Sequence, residues 1–77
     1  MIKSKTTVCY DIFRQIERTS SELGGHNILV EVNPEIAGLL YEEERASVEE
    51  LERRTRKKIA IKGKPGFHQE QFNIIEM

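Results

Sequence analysis

The sequence predicts an α+β domain with the element order α-β-α-α-β-β, in which a three-stranded mixed sheet carries the helices on one face. Apolar residues recur at three- and four-residue spacings over Thr6–Leu23, which is typical of an amphipathic helix. Branched residues alternate along Asn27–Val32, which is typical of a strand. The helical crossover that follows favours a right-handed parallel connection, and the last two strands are expected to be antiparallel neighbours.

The first predicted helix presents one apolar stripe, formed by Val8, Cys9, Ile12, Phe13, Ile16 and Leu23. We expect Phe13 and Ile16 to be buried against the sheet. Gly24-Gly25 is predicted to stop the helix, because glycine accepts the left-handed conformation at a helix C-terminus.

The first strand places Ile28, Val30 and Val32 on one face and Leu29 on the other. A leucine on the second face indicates an interior strand or a partner on that side. Asn33-Pro34 then predicts a helix start, since asparagine suits the N-cap and proline the first helical position.

The third predicted helix begins with a capping box, in which Ser47 is followed three residues later by Glu50. Val48 and Leu51 point inward. The charged residues are expected to stay in water: Glu49, Glu50, Glu52, Arg53, Arg54, Arg56 and Lys57.

Two strands complete the predicted fold. One covers Lys58–Lys62, with Ile59 and Ile61 facing inward, and the other covers Gln71–Met77. Phe72 and Ile74 are assigned to the core face of the last strand. Ile75 then lies on the opposite face, either as an interface residue or as an exposed edge side chain. Together with Leu29, it forms the predicted interface pair.

Composition restricts the class of protein. The chain of 77 residues is one small domain with a thin core, and its 38% hydrophobic and 32% charged residues fit neither a disordered tail nor a membrane protein. No apolar run approaches the roughly 20 residues of a bilayer span, and no signal peptide is visible, so we expect a cytoplasmic protein without membrane partners. The single cysteine, Cys9, cannot form an internal disulfide.

A basic run from Arg53 to Lys64 has two interpretations. Its possible RNA-contacting residues are Arg53, Arg54, Arg56, Lys57, Lys62 and Lys64. The alternative is a solvated helix end, balanced by neighbouring glutamates and placed favourably for the helix dipole. That alternative is favoured because no aromatic residues interleave with the basic ones to stack on bases. The net charge of −1 does not by itself indicate a nucleic-acid binder either.

The tetrapeptide Gly63-Lys64-Pro65-Gly66 fits the G-x-x-G pattern of KH domains, and the order of elements resembles theirs. In KH domains this loop joins two helices, whereas here it joins two predicted strands. We therefore interpret it as a turn.

No catalytic or metal site is predicted. Glu42, Glu43 and Glu44 point in different directions on a helix and do not converge on one ion. His26 and His68 are far apart and have no nearby cysteine. The residues therefore predict no cofactor and no small-molecule substrate.

Two segments resemble the ribonuclease E/G family. Thr7-Val8-Cys9-Tyr10-Asp11-Ile12 is similar to the T-V-C-Y-E-I that begins the small domain of the family, and His68–Ile74 is similar to its N-Q-E-Q-F-D-V. Between them, Val32–Ala37 fits an "s-P-x-v-A" segment and Ile59–Ile61 fits a "V-K-V" strand. The resemblance covers nearly the whole chain and is greatest with the short ribonuclease G type.

The resemblance implies a C-terminal small domain of an endoribonuclease of RNA processing and decay, including rRNA maturation. It implies that magnesium and a structural zinc belong to upstream regions of the parent protein: the S1 domain, the nuclease domain and the zinc link precede this domain. It also implies that other subunits of the same protein are partners. The alternative partner, single-stranded RNA, is suggested by the basic run from Arg53 to Lys64. Asp11, the only aspartate, matches a helix position rather than the family's metal site.

Overall fold

The computed structural model describes residues 3–22 and 24–77. Along this part of the chain, the elements are α1 (Lys5–Ser20), β1 (Asn27–Val32), α2 (Pro34–Tyr41), α3 (Arg45–Thr55), β2 (Lys58–Gly63) and β3 (Phe72–Glu76). The predicted α+β class and the order α-β-α-α-β-β are confirmed. No helix in the described ranges combines the length and apolarity needed to cross a bilayer.

The sheet has the strand order β2-β1-β3, so β1 lies in the centre. It pairs in parallel with β2 and antiparallel with β3. The parallel crossover is confirmed, but the prediction that the last two strands are neighbours is wrong. The connection formed by residues 64–71 is too long for a tight hairpin and carries the chain across the end of β1. β1 is apolar along its core face and carries Leu29 on its other face, which suits the centre, while the lysine-bearing β2 suits an edge.

The core lies between the helices and one face of the sheet. Its buried residues come from all three helices and from alternate positions of β1: Val8, Cys9, Ile12, Ile16, Ile28, Val30, Val32, Ile36, Ala37, Leu40, Val48 and Leu51. Ile59, Ile61, Phe72 and Ile74 are half-buried against this core, as expected for the inward positions of β2 and β3. Ile16 is buried as predicted. Phe13 is only half-buried, because it lies at the margin of the stripe beside Tyr10.

Helix α1 starts at a serine cap and ends earlier than predicted. The backbone N–H of Thr7 donates to Oγ of Ser4 at 3.2 Å. The helix ends at Ser20, before Gly24-Gly25, so these glycines follow the helix end rather than forming it. Leu23, assigned to the apolar stripe, lies outside the described residues.

The start of α2 confirms the predicted cap. Oδ1 of Asn33 accepts from the backbone N–H of Glu35 at 2.8 Å, and its Nδ2 donates to the carbonyl of Phe67, also at 2.8 Å. One side chain therefore caps the helix and anchors the loop before β3.

The capping box predicted at Ser47 is wrong. α3 begins at Arg45, and Glu44 occupies the cap position without a side-chain hydrogen bond. The backbone N–H of Glu44 donates to the carbonyl of Leu39 at 2.8 Å. This tight link between the two helices starts α3 before Ser47, which becomes an exposed residue inside the helix.

The predicted turn between the last two strands is present, but it spans Lys64–Phe67 rather than Gly63–Gly66, because Gly63 is the last residue of β2. The N–H of Phe67 donates to the carbonyl of Lys64 at 3.1 Å. Pro65 and Gly66 occupy its central positions, and the φ of 95° at Gly66 is the value that a type II turn requires there.

Candidate functional site

One face of the sheet carries no helix within the described part of the chain. We call it the open face, and its residues alternate with the inward ones: Asn27, Leu29, Glu31, Lys58, Ala60, Lys62, Asn73 and Ile75. In the strand register, Leu29 lies opposite Ala60 on one side and opposite Ile75 on the other. The two predicted interface residues are therefore direct cross-strand neighbours.

This apolar row has a polar surround. Ile75 is 40% exposed, Ala60 is exposed and Leu29 is half-buried. The adjacent row contains Glu31 between Lys62 and Asn73, and Nζ of Lys64 lies 3.6 Å from Oε2 of Glu31. A short apolar centre within a charged rim is the general layout of a protein-binding surface.

Ala60 was missed in the sequence analysis as a member of this row. The signal was present, because Ile59 and Ile61 were assigned inward and the residue between them must point outward. Its importance could not be seen while β2 and β3 were expected to be neighbours. Only a central β1 places Ala60, Leu29 and Ile75 in one line.

The six predicted RNA-contacting residues do not form one surface. Nη1 of Arg54 is 2.8 Å from Oε1 of Glu17 on α1, so this arginine ties two helices together. Lys62 lies on the open face, and Lys64 pairs with Glu31.

Arg53, Arg56 and Lys57 do come together, and Lys58 joins them. They line a shallow surface groove of ≈ 530 Å³ at the end of α3, which we call the basic groove; its residues are Glu49, Glu52, Arg53, Arg56, Lys57 and Lys58.

Backbone geometry forms the basic groove. Arg56 adopts the left-handed conformation, with φ of 58°, and this ends α3 and turns the chain into β2. Nζ of Lys57 donates to the carbonyl of Gly25. The prediction that Lys57 is purely solvated is therefore wrong. Glu52 is also only partly exposed, since its carboxylate accepts from the backbone N–H of Ile59 at 2.8 Å.

The two outer edges of the sheet, along β2 and along β3, differ in how their backbone groups are covered by side chains. The outer edge of β2 is met by Glu52 at the N–H of Ile59 and by the hydroxyl of Tyr41, which donates to the carbonyl of Ile61. Within residues 3–22 and 24–77, no side chain makes a hydrogen bond to the outer backbone edge of β3.

The remaining candidate groups show no arrangement for catalysis. Cys9 is fully buried, and burial raises the pKa of its thiol to about 11, with a further rise from the charge of Glu44. A thiol with such a pKa is a poor nucleophile at neutral pH. His26 and His68 are exposed. In the described ranges, no three His, Cys, Asp or Glu side chains converge as metal ligands do.

Asp11 is held by cations rather than aimed into a cavity. Its Oδ2 lies 2.7 Å from Nζ of Lys3, and its Oδ1 lies 3.9 Å from Nη2 of Arg14. The hydrogen bond from Lys3 lowers the pKa of this carboxyl below its ordinary value.

Comparison with known proteins identifies the family. The family model for the RNase E/G thioredoxin-like domain matches residues 1–77. Ribonuclease G of Escherichia coli K12 is 34% identical over 76 residues, and ribonuclease G of Salmonella typhimurium is 33% identical over the same length. Ribonuclease G of Haemophilus influenzae is 30% identical over 77 residues.

Each comparison covers 99% of this chain and 16% of the relative, so the chain spans about one sixth of the length of these ribonucleases. The match extends over all six elements described above. The chain therefore belongs to the RNase E/G thioredoxin-like domain family.

Proposed function

We propose that this chain is the non-catalytic C-terminal small domain of a cytoplasmic ribonuclease G-type endoribonuclease and that it serves subunit assembly and structural support. RNA cleavage in processing and decay would belong to the remainder of the parent protein. The observation that carries the proposal is the apolar row of the open face, formed by Ala60, Leu29 and Ile75, which no helix covers in the described part of the chain.

The chemistry of the chain supports a structural role. The chain contains a single cysteine, so it cannot form the dithiol pair that thioredoxin chemistry uses. Magnesium and zinc, expected for the parent protein by resemblance, are assigned to its other regions. Among the described residues, no set of side chains converges as the ligands of either metal would.

Sedimentation velocity of the 77-residue chain, over about a hundredfold range of concentration, tests the assembly role. We expect reversible self-association. The substitution Ile75→Lys should weaken it at least tenfold, because a charge would be buried in the apolar row without a partner.

Tyr10→Lys is the matched control, since Tyr10 is 50% exposed and lies on α1, away from the open face. This variant should self-associate like the unmodified chain. The assembly role would be rejected if the chain stayed monomeric at the highest concentration while a parent protein without this segment kept its oligomeric state.

A further inference from the structure

We propose that the outer edge of β3 pairs with the same edge of a second copy of the chain, in antiparallel orientation and centred on Ile74. The inference rests on the proposed assembly role and deepens it, because it names the strand and the register through which two copies meet. The apolar row of the open face lies on one face of the sheet, whereas this contact lies at the side of the sheet.

The register between β1 and β3 decides which backbone groups of β3 point away from the sheet. In an antiparallel pair, opposed residues alternate between those that share backbone hydrogen bonds and those that do not. The N–H of Met77 donates to the carbonyl of Asn27 at 3.0 Å, so Met77 bonds toward β1. The same alternation assigns the backbone groups of Asn73 and Ile75 to β1 as well.

The N–H and carbonyl groups of Phe72, Ile74 and Glu76 consequently point outward. The other side of β1 follows the same alternation, since the N–H of Lys58 donates to the carbonyl of His26 at 2.8 Å. Within the described part of the chain, no side chain makes a hydrogen bond to these outward groups of β3. They form a row of donors and acceptors that can serve as a template for another strand.

This row is complementary to itself. When two β3 strands run antiparallel with Ile74 opposite Ile74 of the second copy, Phe72 lies opposite Glu76 at both ends. Each of these three residues then donates one backbone hydrogen bond and accepts one. The arrangement has the two-fold symmetry of a closed dimer.

The neighbouring registers are less favourable. A register centred on Glu76 would place two carboxylates directly opposite each other, and like charges at opposed positions are destabilising. A register centred on Phe72 would leave the backbone groups of Glu76 without a strand partner, because β3 begins at Phe72. The centre at Ile74 is therefore the register that uses the whole row.

A groove beside this edge can receive side chains of the second strand. It lies between α1 and β3, has a volume of ≈ 300 Å³ and is lined by Gln15, Thr19, Phe72, Asn73 and Ile74. Opposed residues of antiparallel strands share a face, so Phe72 and Ile74 of the second copy would lie on the side of the sheet where α1 packs. None of the lining residues is charged, which suits these apolar side chains.

On the open face, the same register brings the apolar rows of the two copies together. Ile75 lies opposite Asn73 of the second copy and diagonal to Ile75 of the second copy, within reach of long side chains. The row formed by Ala60, Leu29 and Ile75 in one copy is thus continued by the row of the other. This continuity favours a second copy over an unrelated extended segment as the occupant of the edge.

Amide hydrogen exchange, measured by NMR on the 77-residue chain at concentrations about a hundredfold apart, tests the proposal. The amides of Asn73 and Ile75 should be protected at both concentrations, because they already bond to β1. The amides of Phe72, Ile74 and Glu76 should exchange rapidly in the dilute sample. In the concentrated sample they should exchange at least about tenfold more slowly.

The substitution Glu76→Pro removes an outward N–H without removing a hydrogen bond to β1, so the fold should be retained. In sedimentation velocity, this variant should self-associate at least about tenfold more weakly than the unmodified chain. Glu76→Ala is the matched control, since it makes the same change in charge and keeps the N–H. The control should self-associate like the unmodified chain, and circular dichroism should confirm that both variants are folded. Equal weakening in the two variants would contradict the edge contact.

Three further outcomes separate the edge contact from the assembly role. Self-association without slower exchange at Phe72, Ile74 and Glu76 would overturn the edge contact and leave the assembly role intact, because the copies would then meet through another surface. A monomer at every concentration would reject both. An unrelated strand-forming peptide of about seven residues might instead slow the three amides in a chain whose own concentration has no effect on them. That result would assign the edge to a different partner and overturn the proposal.

Discussion

Ile16 shows how much of the fold depends on single side chains. It has 1% of its surface exposed and lies among Val30, Leu40 and Leu51, where the packing leaves a void of only ≈ 10 Å³. A domain of 77 residues has a total stability of about 4–12 kcal/mol, so one core residue is a large share of it.

Replacing Ile16 with alanine should lower the free energy of unfolding by about 2–5 kcal/mol. The variant loses the transfer free energy of the removed carbon atoms, and it also contains a cavity where they were. Urea denaturation followed by circular dichroism measures this change. Tyr10→Ala, on the exposed side of the same helix, should cost less than about 1 kcal/mol. Equal losses for the two variants would mean that α1 does not pack as described.

At the scale of elements, residues with a strong local signal were predicted well. The bounds of β1 agree fully with its alternating pattern, and the Asn33-Pro34 start of α2 follows from cap chemistry that needs no tertiary contact. The capping box predicted at Ser47 was wrong because the backbone hydrogen bond from Glu44 to Leu39 starts α3 earlier, and the sequence does not reveal this bond. The prediction that the last two strands are neighbours was also wrong, because strand order depends on contacts between segments that are distant in sequence.

The end of α3 allows a test of backbone strain. Arg56 has φ of 58°, a conformation that costs an L-residue about 1–2 kcal/mol relative to glycine. We expect Arg56→Gly to raise the midpoint of urea denaturation, with a net gain of about 0.5–1 kcal/mol after the greater freedom of glycine in the unfolded chain.

Arg53→Gly is the opposite control, because Arg53 lies inside α3 and glycine there should cost about 1 kcal/mol. Destabilisation by both variants would show that the left-handed conformation of Arg56 does not end the helix.

At the scale of the whole molecule, the sequence predicted only some of the residues of the open face and of the basic groove. The pair Leu29 and Ile75 could be selected from the sequence because each is an apolar residue at an outward strand position. The sequence could not show which basic residues lie together, because Arg54 pairs with Glu17, which is 37 positions away in sequence, and so does not line the basic groove. Tertiary pairing therefore decided which charges remain available to a ligand.

Ion pairs near the N-terminal end connect separate parts of the molecule and make its stability depend on pH. Nζ of Lys5 on α1 lies 2.8 Å from Oε2 of Glu35 on α2. Lys3 pairs with Asp11, and the backbone carbonyl of Lys3 accepts a hydrogen bond from the side chain of Gln69. The hydrogen bonds from these lysines lower the pKa of Glu35 and of Asp11. Carboxylates with a lowered pKa in the folded state bind protons more readily when the chain unfolds.

The stabilisation from these pairs should be fully present above the ordinary carboxyl pKa values of 3.8 and 4.5 and should be lost as the pH falls below them. The loss should be small and should shrink in high salt, because the pairs are exposed. Urea midpoints measured from neutral pH to about pH 3 should decline less steeply for Asp11→Asn than for the control Glu43→Gln. Parallel declines in the two variants would contradict this assignment.

The unequal edges of the sheet have a consequence for how copies of the molecule can combine. Tyr41 and Glu52 occupy backbone groups along the outside of β2, whereas the outside of β3 has no such cover from the described side chains. If a second copy extended the sheet, it would have to join β3 to β3. The two ends of the resulting pair would both be β2 strands, where Glu52 and Tyr41 already engage one N–H and one carbonyl, which disfavours further growth into a fibre.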